Sequence, residues 1–258
     1  MQSKRTAWML ALALLVPFIP ANALLAVPVK TRMVSYRSGS ETVKGFFAEP
    51  QSPGKHPALV VIHEWWGLTP WVKQQAVKLA SHGYVSLAVD LYRGQVTTDP
   101  SVAHQLARGV PHDRAIRDLQ AAFNYLAAQP NVDKDKIGDI GWCMGGGYSI
   151  ELAEIEPRLA ACVVNYGALP ADADTIQKIH APVLESSGAD DRGITPQMVR
   201  QFQAAMKAGG KRASVKIYPG AAHAFENPDN KEGYRPEAAA DAWRRTVTFL
   251  AQTLGRRP

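Results

Sequence analysis

The chain has 258 residues, of which 46% are hydrophobic and 20% are charged, a balance typical of a globular protein with one large core. Its formal net charge is +6, and the Lys and Arg residues are scattered along the chain. Because proteins that bind nucleic acids gather such charges on one face or in one run, the pattern argues against nucleic acid as a partner.

The first 23 residues have the three parts of a secretory signal peptide. Two cations precede an apolar run over residues 7–18, and the tripeptide at 21–23, Ala-Asn-Ala, has the small-x-small pattern that signal peptidases cut. We therefore predict that residues 1–23 are a signal peptide and that residues 24–258 form a single periplasmic or secreted domain. The apolar run is too short to span a bilayer, so we expect no stable membrane insertion; a retained N-terminal anchor is the alternative.

Short apolar runs typical of strands alternate with amphipathic stretches typical of helices. After an early pair at 33–36 and 43–48, the predicted strands are 58–63, 85–89, 137–142, 160–165, 182–187 and 213–218. The predicted helices are 71–81, 114–128, 146–155, 196–208 and 236–254.

This alternation predicts an α/β fold with a mainly parallel central sheet and helices on both faces, because parallel strands need crossover connections. In such sheets, ligands bind beyond the carboxyl ends of the strands. Residues 93–111 form the longest irregular connection and are a candidate lid or substrate loop.

Cys143 lies at the centre of the sequence Gly141-Trp142-Cys143-Met144-Gly145, where a predicted strand runs into a predicted helix. This G-x-C-x-G pattern is typical of a nucleophile elbow, in which glycines allow a tight turn that raises the central side chain above the sheet. The following helix N-terminus favours a thiolate. A buried, unreactive thiol in a strand–helix turn is the alternative.

A thiol nucleophile needs a base and a group that orients the base, which in hydrolases of this kind follow in the order nucleophile, acid, histidine. Asp191 lies on the loop after the predicted strand 182–187, with Asp190 as the adjacent competitor. His223 lies on the loop between the last predicted strand and the last helix. The pattern predicts a Cys–His–Asp triad made of Cys143, His223 and Asp191.

Backbone N–H groups must also face the oxyanion of the reaction. We predict that they come from Met144, directly after the nucleophile, and from Trp65, on the loop after strand 58–63. Glu64 lies on the same loop and could contact the thiol, while Trp65 and Trp66 could form a wall of the site. Cys162 lies in a buried apolar run, so we predict no disulfide with Cys143.

With these residues in place, the chain resembles the dienelactone hydrolase family, the carboxymethylenebutenolidases of the α/β-hydrolase fold. The resemblance covers roughly residues 40–252 and combines five short motifs. They are His63-Glu64-x-x-Gly67-Leu68, Asp90-Leu91-Tyr92, Gly141-x-Cys143-x-Gly145-Gly146, Gly188-x-x-Asp191 and Tyr218-x-Gly220-x-x-His223-x-Phe225.

The resemblance implies hydrolysis of a small-molecule ester or enol-lactone through a thioester acyl-enzyme, with Glu64 helping to generate the thiolate. It implies no metal or organic cofactor, and we expect a monomer or weak dimer. Family members that cleave lactones bind a substrate carboxylate with arginines, so Arg93 is a candidate substrate-binding residue together with Tyr92, Trp66 and Phe225. The segment after His223 offers no second cation.

Two other functions compete with this interpretation. Glutamine amidotransferases also use a G-x-C-x-G elbow, but they pair the cysteine with His-x-Glu, whereas Phe225 occupies the second position after His223. An exported protein could instead keep the scaffold only to bind a ligand, since a fold does not guarantee activity.

Overall fold

A computed structural model describes residues 27–255, and the predicted signal peptide therefore lies outside the described residues. Eight strands form one sheet. They are β1 (Val29–Ser38), β2 (Glu41–Pro50), β3 (His56–Ile62), β4 (Val85–Val89), β5 (Val132–Trp142), β6 (Ala161–Asn165), β7 (Val183–Gly188) and β8 (Ala213–Tyr218).

The strand order is β1-β2-β4-β3-β5-β6-β7-β8. The first two strands form an antiparallel hairpin whose second strand pairs antiparallel with β4, and every later pairing is parallel. Every residue of β3, β4, β6 and β7 is buried, as expected for parallel strands covered on both faces. The predicted α/β-hydrolase fold is confirmed.

In the described part of the chain, seven helices connect or flank the strands. They are α1 (Pro70–Ser81), α2 (Pro100–Gly109), α3 (His112–Ala127), α4 (Met144–Ile155), α5 (Ala173–Lys178), α6 (Pro196–Ala208) and α7 (Pro236–Leu254). Two apolar clusters fill the spaces on either side of the sheet, one under α1 and α7 and the other under α3, α4 and α6. No helix within residues 27–255 has the length and apolar character needed to cross a membrane.

The prediction of an irregular connection over residues 93–111 is wrong, because α2 occupies most of it. The side chain of Asp99 caps this helix by accepting hydrogen bonds from the N–H groups of Ser101 (2.7 Å) and Val102 (3.1 Å), and Pro100 occupies the first turn. Only Ala103 of α2 is fully buried. A helix of ten residues with one fully buried position is difficult to recognise from the sequence. The short helix α5 was also missed.

Candidate active site

The predicted chemical groups meet at one edge of the sheet. Glu64 follows β3, Cys143 follows β5, Asp191 follows β7 and His223 follows β8. Because these four strands run parallel to one another, their carboxyl ends lie on the same side of the sheet. Residues up to 159 positions apart in sequence are thereby brought to one place.

Cys143 forms the turn between β5 and α4 in a strained backbone conformation. Its φ is 56° and its ψ is −118°, a combination that residues other than glycine rarely adopt. The turn is held by a 3.0 Å hydrogen bond from the Cys143 N–H to the carbonyl oxygen of Asn165. The Asn165 side chain donates a second bond, of 3.1 Å, to the Gly141 carbonyl oxygen. The surrounding contacts thus hold the thiol at the tip of the turn.

The two glycines of the elbow are required by close packing of backbone on backbone. A Cβ atom on Gly141 would lie 2.0 Å from the carbonyl oxygen of Gly145, and one on Gly145 would lie 2.3 Å from the carbonyl oxygen of Ile62. Neither backbone can move aside without shifting a central strand or the start of α4. The motif therefore sets how closely α4 approaches β3.

Asp191 and His223 form a direct hydrogen bond. The Nδ1–H of His223 donates to the Asp191 Oδ2 atom at 2.7 Å, while the Oδ1 atom accepts from the N–H groups of Gly193 (2.8 Å) and Ile194 (2.9 Å). Asp191 is 4% exposed, whereas Asp190 is exposed. The structure therefore brings Asp191, and not its neighbour, to the imidazole.

Both members of this pair favour their charged forms. Burial would raise the pKa of Asp191, but the hydrogen bonds from His223 and from the backbone lower it. Burial alone would lower the pKa of His223, but its interactions with Asp191 and Cys143 raise the pKa to about 10. An imidazole that keeps its proton at neutral pH can stabilise an adjacent thiolate.

Glu64 is buried, and its carboxylate is bonded to Asn227. The Asn227 Nδ2 atom donates a 2.6 Å hydrogen bond to the Glu64 Oε2 atom. Burial raises the pKa of Glu64 to about 7, although the bond from Asn227 and the charge of His223 oppose this rise. No hydrogen bond joins Glu64 to Cys143 among the described residues; the Glu64 carboxylate is bonded to the Asn227 amide, and both Glu64 and Cys143 line the same cavity.

Tyr166 lies beneath the site and was missed by the sequence analysis. It directly follows β6, is fully buried, and packs edge-on against His223 at 5.3 Å between ring centroids. Burial raises its pKa, and the charges of Glu64 and Cys143 add to this rise, so its hydroxyl stays protonated. Its position directly after a parallel strand could have marked it as a site residue in the sequence. An aromatic residue at such a position, however, usually belongs to the core.

His63 fixes the backbone that carries Glu64. Its Nε2 atom accepts from the N–H of Leu91 at 3.3 Å, and its Nδ1 atom lies 2.5 Å from the carbonyl oxygen of Glu64, which assigns the proton to Nδ1. Burial lowers the His63 pKa to about 4, so the ring is neutral. The histidine therefore positions the loop after β3.

The predicted oxyanion donors, the N–H groups of Trp65 and Met144, flank the elbow. Met144 is the first residue of α4, whose N-terminal N–H groups have no partner within the helix. Within residues 27–255, neither N–H donates a hydrogen bond to another protein group. Both therefore remain available to a ligand oxygen.

A cavity of about 790 Å³ opens above the elbow. Cys143, His223, Glu64, Trp65 and Trp66 line it, in agreement with their expected positions. The two indole rings pack edge-to-face with centroids 4.9 Å apart and form an aromatic wall. The remaining lining residues come from the loops before α1, before α2 and after β8; they are Thr69, Thr97, Thr98, Ala224, Asn227, Asp229, Asn230, Lys231 and Glu232.

Three predicted substrate-binding residues do not line this cavity. Phe225 is fully buried and packs against Tyr218 at 5.0 Å between ring centroids. Tyr92 is 3% exposed, and its hydroxyl lies 3.3 Å from the Met144 sulfur, so it supports the elbow from below. Arg93 forms ion pairs away from the cavity. These three residues contact other protein groups around the site and are not on the cavity surface.

The sequence model of the dienelactone hydrolase family matches residues 43–254. The chain belongs to this family. Its relatives include a Saccharolobus solfataricus protein named “Putative carboxymethylenebutenolidase”, 32% identical over 84% of this chain and 96% of the relative. A Bradyrhizobium protein named “Probable 2-oxo-3-(5-oxofuran-2-ylidene)propanoate lactonase” is 31% identical over 84% of this chain and 92% of its own.

A crystal structure described as a “Putative Dienelactone Hydrolase” from Klebsiella pneumoniae superimposes with a TM-score of 0.80 at 28% identity. The superposition covers 87% of this chain and 99% of that one. As a member of the dienelactone hydrolase family, the protein is an ester or lactone hydrolase on an α/β-hydrolase scaffold.

Proposed function

We propose that this dienelactone hydrolase family member cleaves a carboxylic ester or enol-lactone with Cys143 as nucleophile, His223 as acid–base group and Asp191 as its orienting carboxylate. The observation that carries the proposal is the 2.7 Å bond between Asp191 and His223 in a cavity that also contains the strained Cys143. A thiol, an imidazole and a carboxylate in this order form a triad.

In the first half of the reaction, the Cys143 thiolate attacks the carbonyl carbon of the substrate. The carbonyl oxygen becomes an oxyanion that accepts hydrogen bonds from the N–H groups of Trp65 and Met144. The carbon–oxygen bond to the leaving group then breaks, and protonated His223 gives its proton to the departing oxygen. The product of this half is a thioester on Cys143; from a lactone, the released hydroxyl or enol stays attached to the acyl group.

In the second half, water attacks the thioester carbonyl. His223, now neutral, takes a proton from the water, and the carbon–sulfur bond breaks to release the carboxylic acid and the Cys143 thiolate. Asp191 remains ionised throughout and holds the imidazole with its Nε2 atom towards the reacting groups.

Glu64 belongs to this mechanism as a neighbouring acid whose charge varies near neutral pH. Because its pKa is about 7, it exists in both protonation states under ordinary conditions. Its ionised form favours the protonated His223 by electrostatic attraction. Glu64 therefore tunes the imidazole–thiolate pair through charge, while Asn227 holds its carboxylate.

Reaction with 4-nitrophenyl acetate tests the proposal directly. We expect a burst of nitrophenol and a mass increase of one acetyl group on the tryptic peptide that contains Cys143, with neither in Cys143→Ala. Cys162 is an internal control, because it is fully buried and burial raises its pKa. Acetylation of Cys162 alone, or a full burst in Cys143→Ala, would refute the assignment. A wild-type protein that shows neither a burst nor an acetylated cysteine would favour a scaffold that only binds ligands.

We also propose that the enzyme works outside the cytoplasm, on the strength of the N-terminal sequence. Expression of the full chain in a Gram-negative host should give a periplasmic product whose N-terminus is Leu24. Substitution of Ala23 by Lys should block cleavage. An unprocessed cytoplasmic product from the unaltered chain would contradict export.

A further inference from the structure

We infer that the cavity selects uncharged esters or lactones and disfavours substrates that carry a carboxylate. The inference rests on the proposed hydrolysis at Cys143 and identifies the class of substrate that this site accepts. It follows from where the cations and acids around the cavity lie. The Bradyrhizobium relative, by contrast, is named for a lactone with a propanoate group.

Arg93 is already bound to two carboxylates of the protein. Its Nη2 atom lies 2.8 Å from Glu41, and its Nη1 atom lies 2.8 Å from Asp118 on α3. The guanidinium therefore points towards the β1–β2 hairpin and α3, and the residue does not line the cavity.

Release of Arg93 towards a substrate is opposed by the burial of Asp118. The Asp118 side chain is 0% exposed, so departure of the guanidinium would leave its carboxylate without a counter-charge in the protein interior. The pKa of Arg93 is raised by Asp118 and Glu41, in opposition to partial burial, as expected for a cation held in a lasting ion pair. Arg93 thus has a structural role: it joins Glu41 and Asp118 and does not line the cavity.

Asn227 is an uncharged residue at a position of the cavity lining where a Lys or Arg could have bound a substrate carboxylate. It lines the cavity, but its Nδ2 atom donates to Glu64 and its Oδ1 atom accepts from the N–H of Asp229 at 2.9 Å. Both ends of the amide are thus engaged within the protein. Asn227 adds no positive charge to offset the nearby Glu64.

The remaining charges on the cavity lining are mainly negative. Asp229 and Glu232 contribute two carboxylates, and Lys231 is the only Lys or Arg that the structure places on the lining. Lys231 is exposed, and its ammonium donates to the carbonyl oxygen of Pro228 at 3.1 Å. A substrate carboxylate would therefore meet the buried acid Glu64, two rim acids and one solvated cation. The charge of protonated His223 is already matched by Asp191 and Cys143.

The uncharged portion of a substrate has a complementary surface in the tryptophan wall. Trp65 and Trp66 present apolar rings beside Cys143, and Trp65 also packs edge-on against His104 at 6.4 Å. Burial of an acyl chain or aromatic ring against these indoles stabilises binding without any charged partner. Shape and charge thus favour the same class of substrate.

A pair of esters that differ only at the acyl terminus tests this inference on the mature enzyme. 4-Nitrophenyl hexanoate ends in a methyl group, and mono-4-nitrophenyl adipate has a carboxylate in its place. We expect kcat/KM to be at least about tenfold higher for the hexanoate at low ionic strength, as one uncompensated charge near acids in a partly desolvated cavity implies. Cys143→Ala supplies the blank for each ester.

Reversal of the rim charges supplies the second measurement. In Asp229→Lys/Glu232→Lys, the hexanoate-to-adipate ratio of kcat/KM should fall by about tenfold, and added salt should reduce the difference between the variant and the wild type. The matched control is Arg93→Gln/Asp118→Asn, which removes both charges of the buried ion pair and should leave the ratio unchanged.

The outcomes separate the inference from the proposed function. Equal kcat/KM values for the two esters, or a fall in adipate hydrolysis alone in the Arg93 control, would overturn the selectivity while hydrolysis at Cys143 stands. Failure of the wild-type enzyme to cleave either ester above the Cys143→Ala blank would overturn the proposed function, and the selectivity with it.

Discussion

The Glu64 carboxylate accepts a 2.6 Å hydrogen bond from the side-chain amide of Asn227, 163 positions later in the chain. This bond ties the loop after β3 to the loop after β8, and both loops line the cavity. Its acceptor is a buried carboxylate whose pKa burial raises to about 7, close to neutral pH. The same carboxylate therefore holds two cavity loops together and contributes a pH-dependent charge to the cavity lining.

Glu64 should make the stability of the protein decrease with rising pH. Because its pKa is raised from an ordinary value of 4.5 to about 7, its contribution is fully present below pH 4.5 and is lost as the pH rises through 7. In Glu64→Gln, the free energy of unfolding should fall less between pH 5 and 8, by up to about 3 kcal/mol. Urea titrations across that range measure it; an identical decrease in both proteins would contradict the raised pKa.

The same substitution should lower activity without loss of fold. Glutamine keeps an acceptor for Asn227 but has no negative charge to favour protonated His223, so turnover of 4-nitrophenyl acetate should fall, by about tenfold. Thermal melting near pH 5, where Glu64 is mostly protonated, serves as the control for folding. Unchanged turnover would make Glu64 a wall residue only.

Asp191 and Asp190 form a matched pair for mutation. Asp191→Asn should reduce kcat by about a thousandfold or more, because the amide would no longer hold the imidazole in its productive tautomer. Asp190→Asn should retain activity within about twofold, since that side chain is exposed and the structure bonds Asp191 to His223 instead. Steady-state kinetics of both variants decide the matter, and equal losses would rule out Asp191 as the triad acid.

The elbow glycines differ sharply in the space around them. Gly145→Ala would place a Cβ atom 2.3 Å from the Ile62 carbonyl oxygen, so we expect a loss of stability of about 2 kcal/mol or more and a large loss of activity. Gly147→Ala is the control: its Cβ atom would lie 3.6 Å from the nearest atoms of Ala168, an ordinary contact. Alanine within α4 should be neutral or slightly stabilising there.

Unfolding and kinetic measurements on these two variants also test the elbow as a whole. A stable, active Gly145→Ala enzyme would show that α4 can move away from β3, contrary to the close packing of the two backbones. A strongly destabilised Gly147→Ala enzyme would show that the packing around position 147 leaves no room for a methyl group.

Local sequence determined most elements of the fold. Strands β4 and β8 and helices α6 and α7 lie where the apolar periodicity predicts them, because residues on one face of an element must repeat with its period to remain buried. The helix α2 was missed since it has only ten residues and only Ala103 among them is fully buried. Its start depends on the Asp99 cap.

The sequence by itself also determined the kind of chemistry, because the elbow, the acid loop and the histidine loop each have a short local pattern. Only the tertiary structure decided between Asp191 and Asp190, moved Phe225 into the core, and turned Arg93 towards a buried acid. These outcomes depend on which side chains meet across 25 to 59 positions of sequence, and on the cost of leaving a buried charge unpaired. No local pattern contains that information.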